Sequence, residues 1–159
     1  ELISLPKDCL HHLFSLCIRD SELSSISGLG EVFKNLHSLR HLDLRYCSSL
    51  RSLSGGLEHL TTLEKLVIWY ADELDFSADE DMPWKALKNL QSLELRGISK
   101  LVALPNWLRH LTNLRSLRIK DNWELKEVPE WISCLSSLQQ MELWDCRKLT
   151  SLPEGFREL

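Results

Sequence analysis

Residues 111–129 read LTNLRSLRIKDNWELKEVP, and residues 135–153 read LSSLQQMELWDCRKLTSLP. With a shift of 24 residues, the apolar positions of the two segments coincide and Pro129 falls on Pro153. The same pattern fits the segment upstream, which ends at Pro105. Self-similarity at a fixed period of roughly 20–50 residues is the signature of repeat architectures. We therefore predict a solenoid, in which each unit covers the apolar side chains of its neighbours.

Apolar and polar residues alternate at the centre of each unit. In the first segment, Leu117 and Ile119 are separated by Arg118. Because a β-strand places successive side chains on opposite faces, this alternation predicts one buried and one open face. A helix does not explain it, and the recurring prolines interrupt a helix. Six strands are predicted on this basis: Phe14 to Ile18, Arg40 to Leu44, Glu64 to Ile68, Gln91 to Leu95, Arg115 to Ile119 and Gln139 to Leu143.

The first leucine of each unit sets the repeat length. These leucines have spacings of 26, 24, 27, 24 and 24 residues: Leu13, Leu39, Leu63, Leu90, Leu114 and Leu138. The two longer units carry loops, residues 20–30 and 71–86, and the second loop holds six acidic residues within ten positions. Its extra residues are predicted after Leu74, on the outer side. We expect a single domain over residues 1–159, part of a longer array, because residues 1–6 match the end of a unit.

Composition and charge argue against several classes of function. The chain has 159 residues and a formal net charge of -4, so a broad nucleic-acid-binding face is not expected. No run of about 18 apolar residues occurs, so no membrane span is predicted. The five cysteines lack paired spacing, and no Asn-X-Ser/Thr site is present. These features favour a reducing, cytoplasmic environment.

Two groups of residues invite a ligand-binding interpretation that the sequence does not support. Gly28 and Gly30 lack the third glycine of a dinucleotide loop, because Phe33 stands in its place. Four candidate metal ligands lack the paired spacing of zinc sites: Cys9, His11, His12 and Cys17. No catalytic motif and no nucleophile with a nearby base is found. We predict no enzyme, no metal and no cofactor in this chain.

The repeat resembles a leucine-rich repeat. Residues 36–50 follow the pattern LxxLxLxxCxxL after one further leucine, and residues 143–153 match equally well. More narrowly, the cysteine at this place, the Leu-Pro ending and the irregular unit length resemble the plant intracellular nucleotide-binding leucine-rich-repeat disease-resistance proteins. The resemblance implies an α/β solenoid. Its short parallel strands would line the concave face, with irregular loops and short helical turns on the convex face.

The same resemblance implies a function in binding. Such modules recognise pathogen effectors or modified host proteins, and they contribute to autoinhibition of the nucleotide-binding domain of the same full-length protein. A nucleotide would then bind that separate domain. Two alternatives remain open, an intracellular leucine-rich-repeat scaffold or regulatory subunit, and an extracellular leucine-rich-repeat receptor or inhibitor. The irregular units argue against the first, and the absence of a Gly-x-Ile-Pro segment and of paired terminal cysteines argues against the second.

The resemblance also implies that one position after each strand contributes to a ladder of buried side chains beside the sheet. Cys47 and Cys146 occupy it, and Asn122 stands there in the fifth unit. Ala71 and Ile98 cannot bond through their side chains, so the ladder is expected to be broken. Because Cys47 and Cys146 lie four units apart, far beyond disulfide reach, we expect free thiols.

The outer side carries tryptophans and an acidic loop. Trp84 follows Pro83 directly, and Trp107 and Trp131 each come two residues after a proline. We predict that these rings pack on the outer side of the solenoid and do not bind a partner. The acidic loop is either a solvated insertion or a docking surface for a basic partner.

The strand positions that point away from the core predict a partner-binding surface centred on Trp69. Aromatic residues and arginine are enriched at interface hot spots. The alternative is that Arg45 and Arg96 merely stack on the two faces of Trp69. The predicted concave-face site comprises Arg19, His41, Asp43, Arg45, Tyr46, Lys65, Trp69, Tyr70, Glu94, Arg96, Arg118, Lys120, Asp121, Glu142, Trp144 and Asp145.

Overall fold

One parallel sheet of six strands runs along the chain, and its strands lie in sequence order. The computed structural model describes residues 10–78 and 83–154. The strands are β1 Ser15–Arg19, β2 His41–Arg45, β3 Lys65–Trp69, β4 Ser92–Arg96, β5 Ser116–Lys120 and β6 Gln140–Trp144. Each strand pairs with the strand of the next unit, as a solenoid requires.

All six predicted strands are present, but each begins and ends one residue later than predicted. The carbonyl of Phe14 accepts bonds from the amides of Arg40 and His41, at 2.9 and 3.1 Å, and strand pairing starts with Ser15 and His41. At the other end, Arg19 still pairs with Arg45. The apolar pattern therefore identifies the positions that face the core, and it does not mark where strand pairing ends.

Two rows of apolar side chains form the core beneath the sheet. One row runs from Leu16 to Met141 and the other from Ile18 to Leu143. In the four central strands, every side chain of these rows is at most 1% exposed. A fully buried leucine contributes roughly 1.5–3 kcal/mol relative to an exposed one. Stacking of units thus supplies the stability that a single unit cannot reach.

Short helical turns lie outside the sheet. One is an α-helix, α1, at Gly30–Phe33. The others are 3-10 helices at Ile26–Leu29, Leu57–His59, Phe76–Ala78, Pro83–Ala86, Asn106–His110 and Glu130–Cys134. The last two directly follow Pro105 and Pro129, whose fixed φ suits the start of a helical turn. This is the α/β arrangement predicted from the repeat pattern.

An aromatic cluster fills the space beneath the long third unit. The rings of Trp84 and Trp107 stack with centroids 3.4 Å apart and an interplanar angle of 2°. Phe76 contacts both rings. Trp84 and Trp107 are 1% and 2% exposed, and Trp131 is partly buried with its indole N–H donated to Asn106 at 3.2 Å. The prediction that these tryptophans pack outside the sheet is confirmed.

Some predictions concern parts of the chain that the structure does not describe. The interpretation of residues 1–6 as the end of a unit, the candidate ligand Cys9 and the acidic residues 79–81 all lie outside the described residues. Across residues 10–78 and 83–154, no helix is long and apolar enough to cross a lipid bilayer.

Candidate interaction surface

Two columns of side chains project from the face of the sheet opposite the core, which we call the open face. The register aligns the first column as Cys17, Asp43, Val67, Glu94, Arg118 and Glu142. It aligns the second column as Arg19, Arg45, Trp69, Arg96, Lys120 and Trp144. Val67 departs from the alternation, since it is only 5% exposed. The strand pairing therefore brings most of the predicted site together on one surface.

Trp69 lies at the centre of the open face and contacts three charged side chains. The guanidinium carbon of Arg45 is 3.8 Å from the ring centroid, and that of Arg96 is 5.2 Å away. The indole N–H is donated to Glu94 at 3.1 Å. The cation–π stacking considered as an alternative is thus present. The ring remains partly exposed, so a partner can still reach it.

The arginines beside Trp69 are neutralised by neighbouring carboxylates. Arg45 donates two bonds to Asp43, at 2.7 and 2.5 Å, and these bonds raise the pKa of Arg45. Arg96 donates to Asp121 at 2.6 Å, which likewise raises the pKa of Arg96. These pairs hold the guanidinium groups in place against the tryptophan.

A similar pairing occurs near the end of the sheet. Glu142 lies 2.8 Å from the Lys120 ammonium and 3.2 Å from the Arg118 guanidinium. The hydrogen bond from Lys120 holds the pKa of Glu142 below its usual range. The charges of the open face are therefore largely balanced within the chain.

The residue after each strand has a left-handed backbone. Five of these residues are not glycine, and their φ values lie between 48° and 55°. The six positions are Asp20, Tyr46, Tyr70, Gly97, Asp121 and Asp145. A side chain in this conformation costs roughly 1–2 kcal/mol. The strand pairing compensates, since the amides of Tyr46 and Tyr70 each donate to the next strand at 2.8 Å.

Two tyrosines at these turns form a flat aromatic surface at the edge of the open face. The rings of Tyr46 and Tyr70 stack with centroids 5.2 Å apart and an angle of 9°. Tyr70 lies across Gly97, where a Cβ atom would be 2.5 Å from the tyrosine ring. Its hydroxyl reaches Asp121 at 3.3 Å. The glycine thus leaves room for the ring, and Tyr46 remains 49% exposed.

An exposed aromatic residue that the apolar pattern does not reveal lies at the start of the sheet. Phe14 precedes β1 and is 51% exposed. Its ring packs edge-to-face with the ring of His41, and the two ring centroids are 5.4 Å apart. The guanidinium carbon of Arg40 lies 5.4 Å from the same phenyl ring. The apolar pattern predicts Phe14 as the first residue of the strand, whereas β1 begins at Ser15. The predicted residue Lys65 is exposed at the first position of β3.

A second missed aromatic residue lies at the other end of the sheet. Trp123 is 53% exposed and donates its indole N–H to Asp145 at 3.0 Å. The guanidinium carbon of Arg147 lies 4.8 Å from its ring centroid. The hydrogen bonds from Arg147 and Trp123 lower the pKa of Asp145. The predicted residue Trp144 is 69% exposed and lies three strands from Trp69. Trp123 lies in a loop after β5, so the alternation of residues along the strands does not predict its exposure.

Beside the sheet, Asn122 occupies the predicted ladder position and is fully buried. Its side-chain oxygen accepts the amide of Ile98 at 2.8 Å. Its side-chain nitrogen donates to the carbonyls of Leu95 and Lys120 at 2.8 and 2.9 Å. One asparagine therefore satisfies the backbone of a neighbouring unit whose own side chain cannot bond.

The two cysteines at this position make weaker contacts. The Cys47 sulfur lies 3.5 Å from the Arg45 carbonyl and 3.9 Å from that of Ile18. Burial raises the pKa of Cys47 and of Cys146. Within the described residues, Cys17, Cys47, Cys134 and Cys146 are free thiols.

The other candidate ligands have ordinary surroundings. Among residues 10–78 and 83–154, no group of three His, Cys, Asp or Glu residues is placed to hold a metal ion. His11 stacks on His37 with ring centroids 5.2 Å apart. A Cβ atom at Gly30 would be 2.6 Å from the Gly55 carbonyl, so close packing between units accounts for this glycine.

Comparison with known proteins adds evidence on the fold. No protein-family model matches the sequence, and no curated protein matches it significantly. Solved structures do match. A chain of the TLR13–ssRNA13 complex has a TM-score of 0.71 and 21% identity, over 96% of this chain and 22% of that chain. The leucine-rich repeat domain of the type III effector XopL has a TM-score of 0.60 and 21% identity, over 96% of this chain and 68% of that domain.

The chain folds as a leucine-rich-repeat solenoid. The solenoid spans only 22% of the TLR13 chain that it matches. At 21% identity, these similarities establish the architecture and leave the ligand to be argued from the surface itself.

Proposed function

We propose that the chain is a protein-interaction module that binds its partner on the open face, around Trp69 and the stacked Tyr46 and Tyr70. The supporting observation is that Trp69 and the two tyrosines are held by neighbours yet remain accessible. Binding costs less conformational entropy when such side chains are already fixed. The chain acts by binding and has no chemistry of its own.

The paired charges on the open face contribute to the specificity of binding more than to its affinity. Salt bridges such as Arg45 with Asp43 and Lys120 with Glu142 are already formed without a partner. A partner gains little affinity from contacting a charge that is already paired. We therefore assign affinity mainly to the aromatic side chains, and register and specificity to the charged columns.

Within this class, we propose the interaction module of a cytoplasmic plant immune receptor. Its partners are then a pathogen effector or a modified host protein, and the nucleotide-binding domain of the same full-length protein. The irregular units, the cysteines at the ladder position and the Leu-Pro endings support this assignment by resemblance. The free thiols of Cys47, which is buried, and of Cys146, which is partly buried, favour it over an extracellular receptor.

The test compares tryptophans on opposite sides of the solenoid. Trp69→Ala and Trp144→Ala are placed in the full-length protein, with Trp131→Ala as the matched control outside the sheet. Capture of the nucleotide-binding domain, and the response to candidate effectors, are measured for each variant. We expect the two open-face variants to lose capture or response and the control to keep both.

Stability measurements separate binding from folding. Two cation–π contacts at an exposed site contribute about 0.5–1 kcal/mol each, so Trp69→Ala should leave thermal unfolding little changed. If Trp69→Ala instead lowers the free energy of unfolding by several kcal/mol and Trp144→Ala has no effect in any binding assay, the open face is not the binding surface.

A further inference from the structure

Among the six described turns that follow the strands, the turn after β4 alone carries no side chain. The residues at these turns share a left-handed backbone, and five of them are aspartate or tyrosine at φ values between 48° and 55°. The residue after β4 is Gly97, at a φ of 62°. Glycine adopts a positive φ more readily than other residues. The five other turns form without it, so the backbone alone does not explain the glycine.

The ring of Tyr70 occupies the place where a side chain of residue 97 would lie. A Cβ atom at Gly97 would be 2.5 Å from Cδ1 of Tyr70 and 2.7 Å from its Cε1. Both distances are below 3.0 Å, so even a methyl group would displace the ring. Space for the tyrosine ring therefore accounts for the glycine at this turn.

Two contacts hold the Tyr70 ring over Gly97. The ring stacks on that of Tyr46, with centroids 5.2 Å apart. Its hydroxyl donates to Oδ2 of Asp121 at 3.3 Å. Tyr70 follows the third strand and Asp121 follows the fifth, so this hydrogen bond crosses the fourth unit above Gly97. A side chain at residue 97 would interrupt it.

Arg96 connects this tyrosine to the centre of the open face. Its guanidinium donates to the same Oδ2 atom of Asp121, at 2.6 Å. The guanidinium carbon lies 5.6 Å from the ring centroid of Tyr70 and 5.2 Å from that of Trp69. Arg96 is thus held between the two aromatic rings and the carboxylate. Because the members of such a network stabilise one another, displacement of Tyr70 should loosen Trp69 as well.

We propose that Gly97 is a positioning residue of the open face. By leaving room for the Tyr70 ring, it lets Tyr70 and Arg96 share the carboxylate of Asp121, and this network fixes the orientation of Trp69. The glycine acts through Tyr70, without contact with the partner. A fixed Trp69 loses less conformational entropy on binding. The inference rests on the function proposed above, because it concerns the surface that binds the partner.

Gly97→Ala in the intact chain tests the proposal, because it adds only a methyl group. The matched control is Gly55→Ala. Gly55 also has a positive φ, 79°, and a Cβ atom there would be 2.7 Å from Cβ of Ser27. It lies outside the sheet, shortly before the 3-10 helix Leu57–His59. Both variants therefore add backbone strain and crowding, and only Gly97→Ala should disturb the open face. Circular dichroism confirms the fold of each variant.

The order parameter of the Trp69 indole N–H, measured by nitrogen-15 relaxation, reports on the positioning directly. A value of about 0.85 indicates a rigid N–H group, and a value below about 0.6 a mobile one. We expect Gly97→Ala to lower this order parameter towards the mobile range and Gly55→Ala to leave it unchanged. Capture of the nucleotide-binding domain should weaken by roughly 2–30-fold with Gly97→Ala, the range for residues that modulate binding without contact, and should not change with Gly55→Ala.

Tyr70→Leu separates the role of the ring from that of the backbone. It removes the ring and leaves Gly97 in place, so it should also lower the order parameter of Trp69. In the Tyr70→Leu background, Gly97→Ala should lower it no further, because the group through which the glycine acts is absent. If Gly97→Ala does not fold, a lower order parameter in Tyr70→Leu supports the proposal and an unchanged one overturns it.

Four outcomes in folded variants overturn the proposal. The first is a rigid Trp69 in Gly97→Ala. The second is an equal loss of order in Gly55→Ala, which would make general destabilisation the cause. The third is an additional loss when Gly97→Ala is combined with Tyr70→Leu. The fourth is capture that Trp69→Ala abolishes and Gly97→Ala leaves unchanged. Failure of the proposed function is distinct, since Trp69→Ala would then keep capture, and the order parameter of Trp69 would still decide the role of Gly97.

Discussion

Tryptophan has opposite surroundings on the two sides of the solenoid. On the open face, Trp69 is partly exposed, its N–H is donated to Glu94, and two arginines lie over its ring. Outside the sheet, Trp107 is 2% exposed and stacks on Trp84, and its N–H has no acceptor within residues 10–78 and 83–154. The sheet register supplies neighbours at fixed offsets, so polar groups find partners there. Away from the sheet, beside the insertion, aromatic rings fill the space, and the Trp107 N–H has no acceptor among the described residues.

The largest expected effect is that of Trp107→Ala. Removing a buried aromatic side chain from a packed cluster costs about 3–5 kcal/mol. Trp69→Ala should cost only about 1–2 kcal/mol, because its contacts are cation–π pairs near solvent. Urea unfolding followed by far-ultraviolet circular dichroism measures both free energies.

The exposed Trp123 provides the control for this comparison. Trp123→Ala removes a ring of the same size that is 53% exposed, so its cost should not exceed that of Trp69→Ala. Equal losses for Trp107→Ala and Trp69→Ala would contradict the distinction between a partnered surface ring and a buried cluster.

The sequence predicts the open face well because two periods act together. Alternation along a strand decides which residues face solvent, and the repeat length decides which residues become neighbours. Arg45, Trp69 and Arg96 follow from these two rules alone. The predicted strand ends were wrong by one residue. Strand pairing depends on backbone hydrogen bonds, and these leave no pattern of apolar residues in the sequence.

Features of the turns and the flank could not be predicted in the same way. The left-handed turns contain tyrosine as well as glycine and aspartate, so only their alignment across units hints at them. The 3-10 helix Phe76–Ala78, with Asp75 bonded to the amide of Ser77, depends on how the insertion after Leu74 folds. The exposure of Phe14 and Trp123 depends on their positions outside the strands. The binding role of the open face stays a prediction.

An intermediate effect is expected for Asn122→Leu. This residue lies beside the sheet, and its three bonds serve the amide of Ile98 and two carbonyls. Leucine has a similar shape but leaves these buried groups unsatisfied, at a cost of about 1–3 kcal/mol. The free energy of unfolding in urea measures this loss.

Cys47→Val is the matched control for Asn122→Leu. The thiol contacts carbonyls only at 3.5 and 3.9 Å, so its replacement by an apolar side chain should cost less than about 1 kcal/mol. If both substitutions cost the same, hydrogen bonding at the ladder position does not distinguish the two units.

The smallest effect concerns thiol reactivity, because the experiment compares two native cysteines and removes no packing contact of either. Cys17 is exposed on the open face, whereas Cys47 is buried beside the sheet. Burial raises the pKa of Cys47, so less of the reactive thiolate is present at neutral pH. In a Cys9→Ser variant, iodoacetamide should modify Cys17 at least about tenfold faster than Cys47.

The labelling rate of Cys47 should also differ from that of an ordinary thiol in its dependence on pH. Because the folded-state pKa of Cys47 is raised, its labelling rate should keep increasing beyond the pH at which an ordinary thiol reaches its maximum rate. Denaturation in urea should remove the difference, since both thiols then meet solvent. Mass spectrometry of the peptides containing each cysteine measures the rates. Equal rates in the folded protein would show that the unit around Cys47 opens readily, and the assignment of that cysteine to a closed core would then be wrong.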